Sequence, residues 1–222
     1  MTKKEKRHSS FVRTMTTAVE RRTPDETRAC IMQVAWDLFR EFGPRTTIAD
    51  VADKAGMSSA NVYRFFPSKQ ALNEAVCENL LAVVLSVARA QLDSPGPASQ
   101  RIAGMMLALN RLMRDQMTRE TRVHEVVQIA IDEHWTPIVD YIHKCAEMLA
   151  TTIAEGQAAG EFGPGDSLDL AWRTMQACII IHDPASIVSC QIVHPQSRPE
   201  DAVEFALRAL ANPHPPPPLP ES

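Results

Sequence analysis

Residues 46–72 read TTIADVADKAGMSSANVYRFFPSKQAL, and three helix starts crowd into this one stretch. Thr47-Ile48-Ala49-Asp50 is a capping box, a threonine with an acid three residues on, and it opens a helix of about two turns. Gly56 supplies the left-handed residue that stops it. Ser58 caps a second short helix, which Pro67 ends. Ser68 caps a third, which runs through Leu72, Val76, Leu80 and Val84 to about Leu92. Two-turn helices are marginal alone, so they must lean on a longer neighbour. The segment just before provides one. Thr23 precedes Pro24, Asp25 and Glu26, a cap, a first-turn proline and first-turn acids. Ile31, Val34, Ala35, Leu38, Phe39 and Phe42 then recur at helical spacing on one face, and Gly43-Pro44 closes the helix. Residues 23–70 therefore spell a three-helix unit of helix-turn-helix layout.

The remainder is also helical in pattern. SPGP at 94–97 is a break, followed by predicted helices at 98–117, 120–133, 137–159, 167–182 and 199–211, with a short helix around 185–191. Thr136-Pro137 starts one cleanly and Gly160 stops it, while Asp166 or Ser167 caps the next. No segment combines period-two alternation with hairpin turns, so the expected class is all-α. The organisation reads as an arm at 1–22, a helix-turn-helix domain at 23–70, a helical domain at 71–212 and a Pro-rich tail at 213–222, expected to be disordered.

Charge is uneven along the chain. Residues 1–23 carry net +5, residues 24–70 balance, and residues 71–222 carry −9. A basic front suggests a polyanion partner there, although a solvated tail has the same composition. The 5 cysteines form no CxxC pair and read as reduced thiols of a cytoplasmic protein. No apolar stretch of membrane-spanning length is expected, and the basic N-terminus lacks the apolar core of a secretory signal.

The short helix Ser58–Phe65 shows Ser58, Ser59, Ala60 and Asn61 in its first turn. A recognition helix enters the major groove with its N-terminal residues, and small side chains let the backbone come close. Asn61 suits a base edge. Tyr63 has a hydroxyl for a phosphate oxygen, and Lys69 a charge. Thr47 and Ser68 mark helix N-termini, where free amides favour anions.

Thr46-Thr47-Ile48-Ala49-Asp50-Val51-Ala52, Ala55-Gly56-Met57-Ser58 and Val62-Tyr63-Arg64-Phe65-Phe66-Pro67-Ser68-Lys69-Gln70-Ala71-Leu72 closely resemble the DNA-binding domain of the TetR family of bacterial repressors. The match covers residues 25–72. It implies that Thr47 touches phosphate, that Ser58, Ser59, Ala60 and Asn61 face the major groove, and that Tyr63, Arg64 and Lys69 contact the DNA around it. Two positions depart from the family pattern. Ala49 stands where many members carry a polar or basic residue, and Phe65 where others have Tyr or His; both remove potential DNA contacts. The arm, with Lys3, Lys4, Lys6, Arg7, Arg13, Arg21 and Arg22, either compensates along a phosphate strand or minor groove, or gives only nonspecific, salt-sensitive attraction.

The resemblance further implies that the last two long helices pair with a second copy and that the middle helices enclose a small-molecule pocket. At 167–182, Leu168, Ala171, Trp172, Met175, Cys178 and Ile179 make a helix apolar on more than one side, as a dimer seam or a plain core would. Pocket candidates are Met105, Met106, Leu109, Met113, Met117, Trp135, Tyr141, Cys145 and Trp172, with Val126 and Val127. Met at these positions suits either core or an adaptable ligand lining. His124, Glu125, Asp132, Glu133 and His134 lack tight metal-ligand spacing. No cofactor motif and no nucleophile constellation is present, so no enzyme is expected. The expected protein is a homodimeric repressor on a palindromic operator of double-stranded DNA, released by a small-molecule effector. A ligand-independent regulator or activator, and a helical protein-binding scaffold, are the alternatives.

Overall fold

The structure, a computed structural model, describes residues 22–119, 121–183, 186–187, 196 and 198–212; of residues 116, 117, 118, 119, 121 and 124 it describes the backbone only. The expected arm, apart from Arg22, and the expected tail lie outside the described residues, as does all but two residues of the short helix expected at 185–191.

Every described element is helical. The first four are α1 (Pro24–Phe42), α2 (Ile48–Ala55), α3 (Ser59–Phe65) and α4 (Lys69–Leu92), with a 3-10 turn, Gly43–Arg45, after α1. Their starts follow the sequence signals. Thr23 and Thr47 both form reciprocal capping boxes, with Glu26 and Asp50 respectively, and Ser58 and Ser68 accept from the amides of Asn61 and Ala71. Gly56 ends α2 at φ 67°, ψ 38°. Beyond α4 lie α5 (Ala98–Arg119), α6 (Thr121–Asp132), α7 (Thr136–Ala158), α8 (Ser167–Ala177), α9 (Ile179–His182) and α10 (Pro199–Ala211).

The single helix expected at 167–182 is two. Cys178, at φ −98° and ψ 7°, divides α8 from α9. The β-branched run Ile179-Ile180-Ile181 behind it has poor helix propensity. Asp166 caps α8, its Oδ1 accepting from the Asp169 amide at 2.8 Å.

Two apolar cores form, and α4 enters both. The head core gathers Ile31, Leu38, Phe39, Val51, Val62 and Phe66 from α1–α3 and the turn after α3, and Leu72, Val76 and Leu81 from α4. Val126 and Ala130 of α6, with Trp135 and Ile138 at the start of α7, complete it. The body core joins Val84, Ala88 and Leu92 of α4 to Ile102, Met105, Met106, Leu149, Ile153, Val203 and Leu210. By length and composition α4 is apolar enough to cross a membrane, against the sequence expectation of no such stretch. Here Val83 stays exposed, and the buried apolar residues of the helix divide between two cores at its opposite ends. At about 1.5 Å per residue it connects them over roughly 36 Å.

Helix α6 also docks directly on the turn after α1. Gly43 makes this approach possible. It has φ +60°, and a Cβ there would sit 3.1 Å from Glu125 Oε2 and 3.2 Å from the Arg122 carbonyl.

Candidate nucleic-acid interface and ligand cavity

Helix α3 presents a polar outer stripe. Ser58, Ala60, Tyr63 and Arg64 are exposed, Ser59 and Asn61 are half-buried, and Val62 faces inward with no exposure. Tyr63 is 48 % exposed and its hydroxyl bonds to no described residue, so it is free to donate outward. Asn61 is less free than its position suggests. Its amide donates to Met57 Sδ at 3.5 Å and accepts from Arg64 at 3.4 Å, so in this conformation it serves the turn.

Thr47 is exposed at the start of α2, but its hydroxyl donates to Asp50 Oδ2 at 2.7 Å and its amide to the same oxygen at 2.8 Å. Those bonds, with the nearby Lys69 charge, hold the Asp50 carboxyl below its ordinary pKa. A phosphate reaching Thr47 must displace Asp50, while the first-turn amides of α2 stay open. Lys69 is exposed and donates to the Pro44 carbonyl at 2.9 Å, leaving two of its three protons for an anion. Ala49 is exposed on α2, whereas Phe65 turns partly into the head core.

Sequence reasoning missed Arg28. Its guanidinium lies 4.3 Å from the Phe66 ring centroid and donates to the Phe65 carbonyl at 3.2 Å. It therefore fastens the end of α3 to α1. Arg28 stands on the polar face of α1, and nothing in the local pattern marks a partner so far along the chain.

The body holds a partly open, mostly apolar cavity of about 310 Å³ between α4, α5, α6, α7, α8 and α9. Met105, Met106, Leu109, Met113, Tyr141, Cys145, Trp172 and Val127 line it, as expected from sequence. The side chain of Met117 lies outside the described residues. Trp135 and Val126 do not line the cavity. Trp135 packs in the head core and its indole donates to Glu133 at 2.8 Å, because the turn before α7 carries it to the head side of α6. Sequence reasoning omitted the α4 wall, Leu80, Leu81 and Val84, and the floor of Ile131, Ile138, Met175, Ile179, His182 and Asp183.

Polar groups in the cavity are few. Burial drives the Tyr141 hydroxyl well above its ordinary pKa, and pushes the neighbouring Cys145 thiol up to about 11. Burial also lowers the His182 pKa, against the bond between its Nε2 and the Met106 carbonyl at 3.2 Å. At neutral pH these three groups are uncharged.

A recognition-type helix held out from a small head, a long helix leading away from it, and a body built around an apolar hole define a helix-turn-helix transcription regulator. The family comparisons agree over both halves. Residues 31–76 match the model for bacterial regulatory proteins of the tetR family, and residues 98–203 match that for a tetracyclin repressor-like C-terminal domain. The chain belongs to the TetR family of DNA-binding transcription regulators. The HTH-type transcriptional repressor KstR2 of Mycolicibacterium smegmatis is 24 % identical over 155 residues, 68 % of this chain and 74 % of that protein. A Rhodococcus protein of unknown function superposes with a TM-score of 0.64 at 19 % identity, over 84 % of this chain and 96 % of that one. Thermus thermophilus FadR, solved in complex with lauroyl-CoA, superposes with a TM-score of 0.56 at 15 % identity, over 88 % of this chain and 100 % of that one.

Proposed function

We propose that this regulator is a homodimeric repressor that binds a palindromic operator and lets go when an apolar effector fills the body cavity. The observation that carries the reading is the position of the cavity. Its walls include Leu80, Leu81 and Val84 of α4 and Val127 and Ile131 of α6. Both helices also pack into the head core, through Leu72 and Val76 of α4 and Val126 and Ala130 of α6. A ligand that wedges these helices apart thus shifts the head, provided it favours one arrangement over the other.

The exposed apolar residues Leu168, Ile179, Ile180 and Phe205 fall on α8, α9 and α10, the helices the family resemblance assigns to the seam. Covering them with a second copy supports a two-fold dimer. The two α3 helices then reach successive major grooves, with half-site centres about 34–36 Å apart or a multiple of it. In this reading Ser58, Ser59 and Ala60 meet base edges, Thr47, Tyr63, Arg64 and Lys69 hold phosphates, and the basic arm adds further phosphate contacts. The FadR complex, a neighbour in fold, supports a body able to take long apolar ligands.

The test is selection of genomic fragments on purified protein at moderate salt, followed by sequencing and sizing of the complex. A palindromic enriched site bound by two copies is expected. Enrichment of an asymmetric site by one copy would overturn the dimeric reading, and absence of any selective binding would favour the scaffold alternative.

A further inference from the structure

We propose that the body cavity selects lipophilic cations, a protonated or quaternary ammonium carried on an apolar chain, over neutral and anionic molecules of the same size. The proposal rests on reading this cavity as the effector site. Among the described residues, no Lys or Arg lines it, and its one carboxylate is Asp183. On the α9 side the lining residues Gln176, Ile179, His182 and Asp183 include no cation, and no Lys or Arg occurs between Arg173 and Asp183.

Asp183 is half-buried. Its Oδ2 accepts from the Ser186 amide at 2.7 Å, and its Oδ1 bonds to no described residue. One carboxylate oxygen is thus fixed by the backbone, and among the described residues nothing takes up the other, which can accept from a donor or face a positive charge. Two ring systems stand on the same cavity. Trp172 is held edge-on by His143 with ring centroids 5.3 Å apart, and Tyr141 belongs to both cores. Aromatic faces attract cations through their quadrupole, and desolvation strengthens the attraction. The remaining wall is methionine and aliphatic, including Met105, Met106, Met113 and Met175, which suits an apolar chain of no fixed shape.

Each ligand class meets this lining differently. An anionic head would sit against Asp183 with no cation to neutralise it, at the full desolvation cost. A neutral head gains a hydrogen bond only. A cation neutralises Asp183 and stacks against an aromatic face. His182 and Cys145, the other titratable groups of the cavity besides Tyr141, are uncharged at neutral pH and offer no competing charge.

Three probes of one chain length separate the cases: octyltrimethylammonium, octanol and octanoate, titrated calorimetrically into the full chain below their aggregation thresholds. The expected order is cation, alcohol, carboxylate, with the cation about tenfold tighter than the alcohol. Asp183→Asn keeps an acceptor for the Ser186 amide, and it should collapse the cation-to-alcohol ratio towards one. An alcohol that binds as tightly as the cation, or a ratio that survives Asp183→Asn, overturns the charge selectivity while leaving the cavity as effector site. Binding of all three that persists in Met113→Trp, which fills the hole, overturns the effector-site reading itself, as does binding of none to the unaltered chain.

Discussion

The head and the body cavity share α4, α6 and α7 but are built in opposite ways. In the head, most polar side chains of the surface are positioned by a partner three or four residues away: Thr47 by Asp50, Ser58 by the Asn61 amide, Asn61 by Met57 and Arg64; Lys69, tied to the Pro44 carbonyl, is the exception among them. In the cavity, the lining comes from six helices spread from Leu80 to Asp183, and its polar contacts cross the chain, as between His182 and the Met106 carbonyl. Local capping fixes geometry within a turn of helix, whereas a cavity exists only after the whole bundle has closed. The head therefore holds its surface nearly preformed, and in the proposed reading the body is the part whose shape an effector alters. Helix α4 belongs to both regimes.

The largest effect comes from breaking the head core where it is tied across the chain. Phe66 is 1 % exposed and carries Arg28 on its face. Phe66→Ala should cost about 3–5 kcal/mol in urea denaturation. A single transition is expected, since α4 transmits the loss to the body. Two separated transitions would show that head and body melt independently and that the shared helix couples them weakly.

Gly43→Ala sharpens the comparison where α6 docks on the turn after α1. Gly43 sits at φ 60°, ψ −138°, a conformation that suits glycine and costs an Ala about 1–3 kcal/mol, and the added Cβ would press on Glu125 Oε2 and the Arg122 carbonyl. Operator binding without effector should persist, because α3 keeps its caps and Arg28. The effector concentration needed for release from DNA should change. An unaltered release curve by fluorescence anisotropy would remove α6 from the coupling and leave α4 to carry it alone.

The same contrast explains what was legible in the sequence. Caps, stops and the faces of α1–α4 follow local chemistry, so Thr23, Thr47, Ser58, Ser68 and Gly56 stand where the pattern placed them. The division of α8 from α9 at Cys178 and the stacking of Arg28 on Phe66 depend on tertiary packing. Trp135 shows the limit clearly. The pattern places it among the pocket candidates, but only the turn that precedes α7 decides which of two cores receives it, and that is the head core. The Met-rich face of α5 was legible as a cavity wall, while Leu80 and Val84 were legible only as an apolar face of α4, because core and cavity wall share one periodicity.

A third prediction probes the cavity floor. Burial keeps His182 neutral in the folded chain, with its pKa below the ordinary 6.5. The unfolded chain binds that proton first, so folding loses stability as pH falls below about 6.5 towards the folded value. The slope is at most about 1.4 kcal/mol per pH unit for one group. Replacing His182 by Gln, which can still donate to the Met106 carbonyl, should flatten urea-derived stability between about pH 7 and pH 5. An unchanged slope would mean that other groups dominate acid sensitivity and that the cavity floor is open to water.

The smallest expected effect is the most specific to the head. The Tyr63 hydroxyl bonds to no described residue, so Tyr63→Phe removes no bond of the described fold. A neutral hydrogen bond to phosphate contributes about 0.5–1.5 kcal/mol. Tyr63→Phe should therefore weaken binding by that amount to operator and random DNA alike, with no change in salt dependence. Lys69→Ala provides the charged counterpart, and it should lower the slope of log affinity against log salt by about 1. It also removes the tie to the Pro44 carbonyl, so its stability is measured alongside. Uniform weakening in both variants assigns both side chains to the backbone of DNA, where contacts fix register without reading sequence. A shift in the preferred site of Tyr63→Phe would instead place the ring against a base, and base reading would then extend past the first turn of α3 to the residue whose hydroxyl the fold leaves unused.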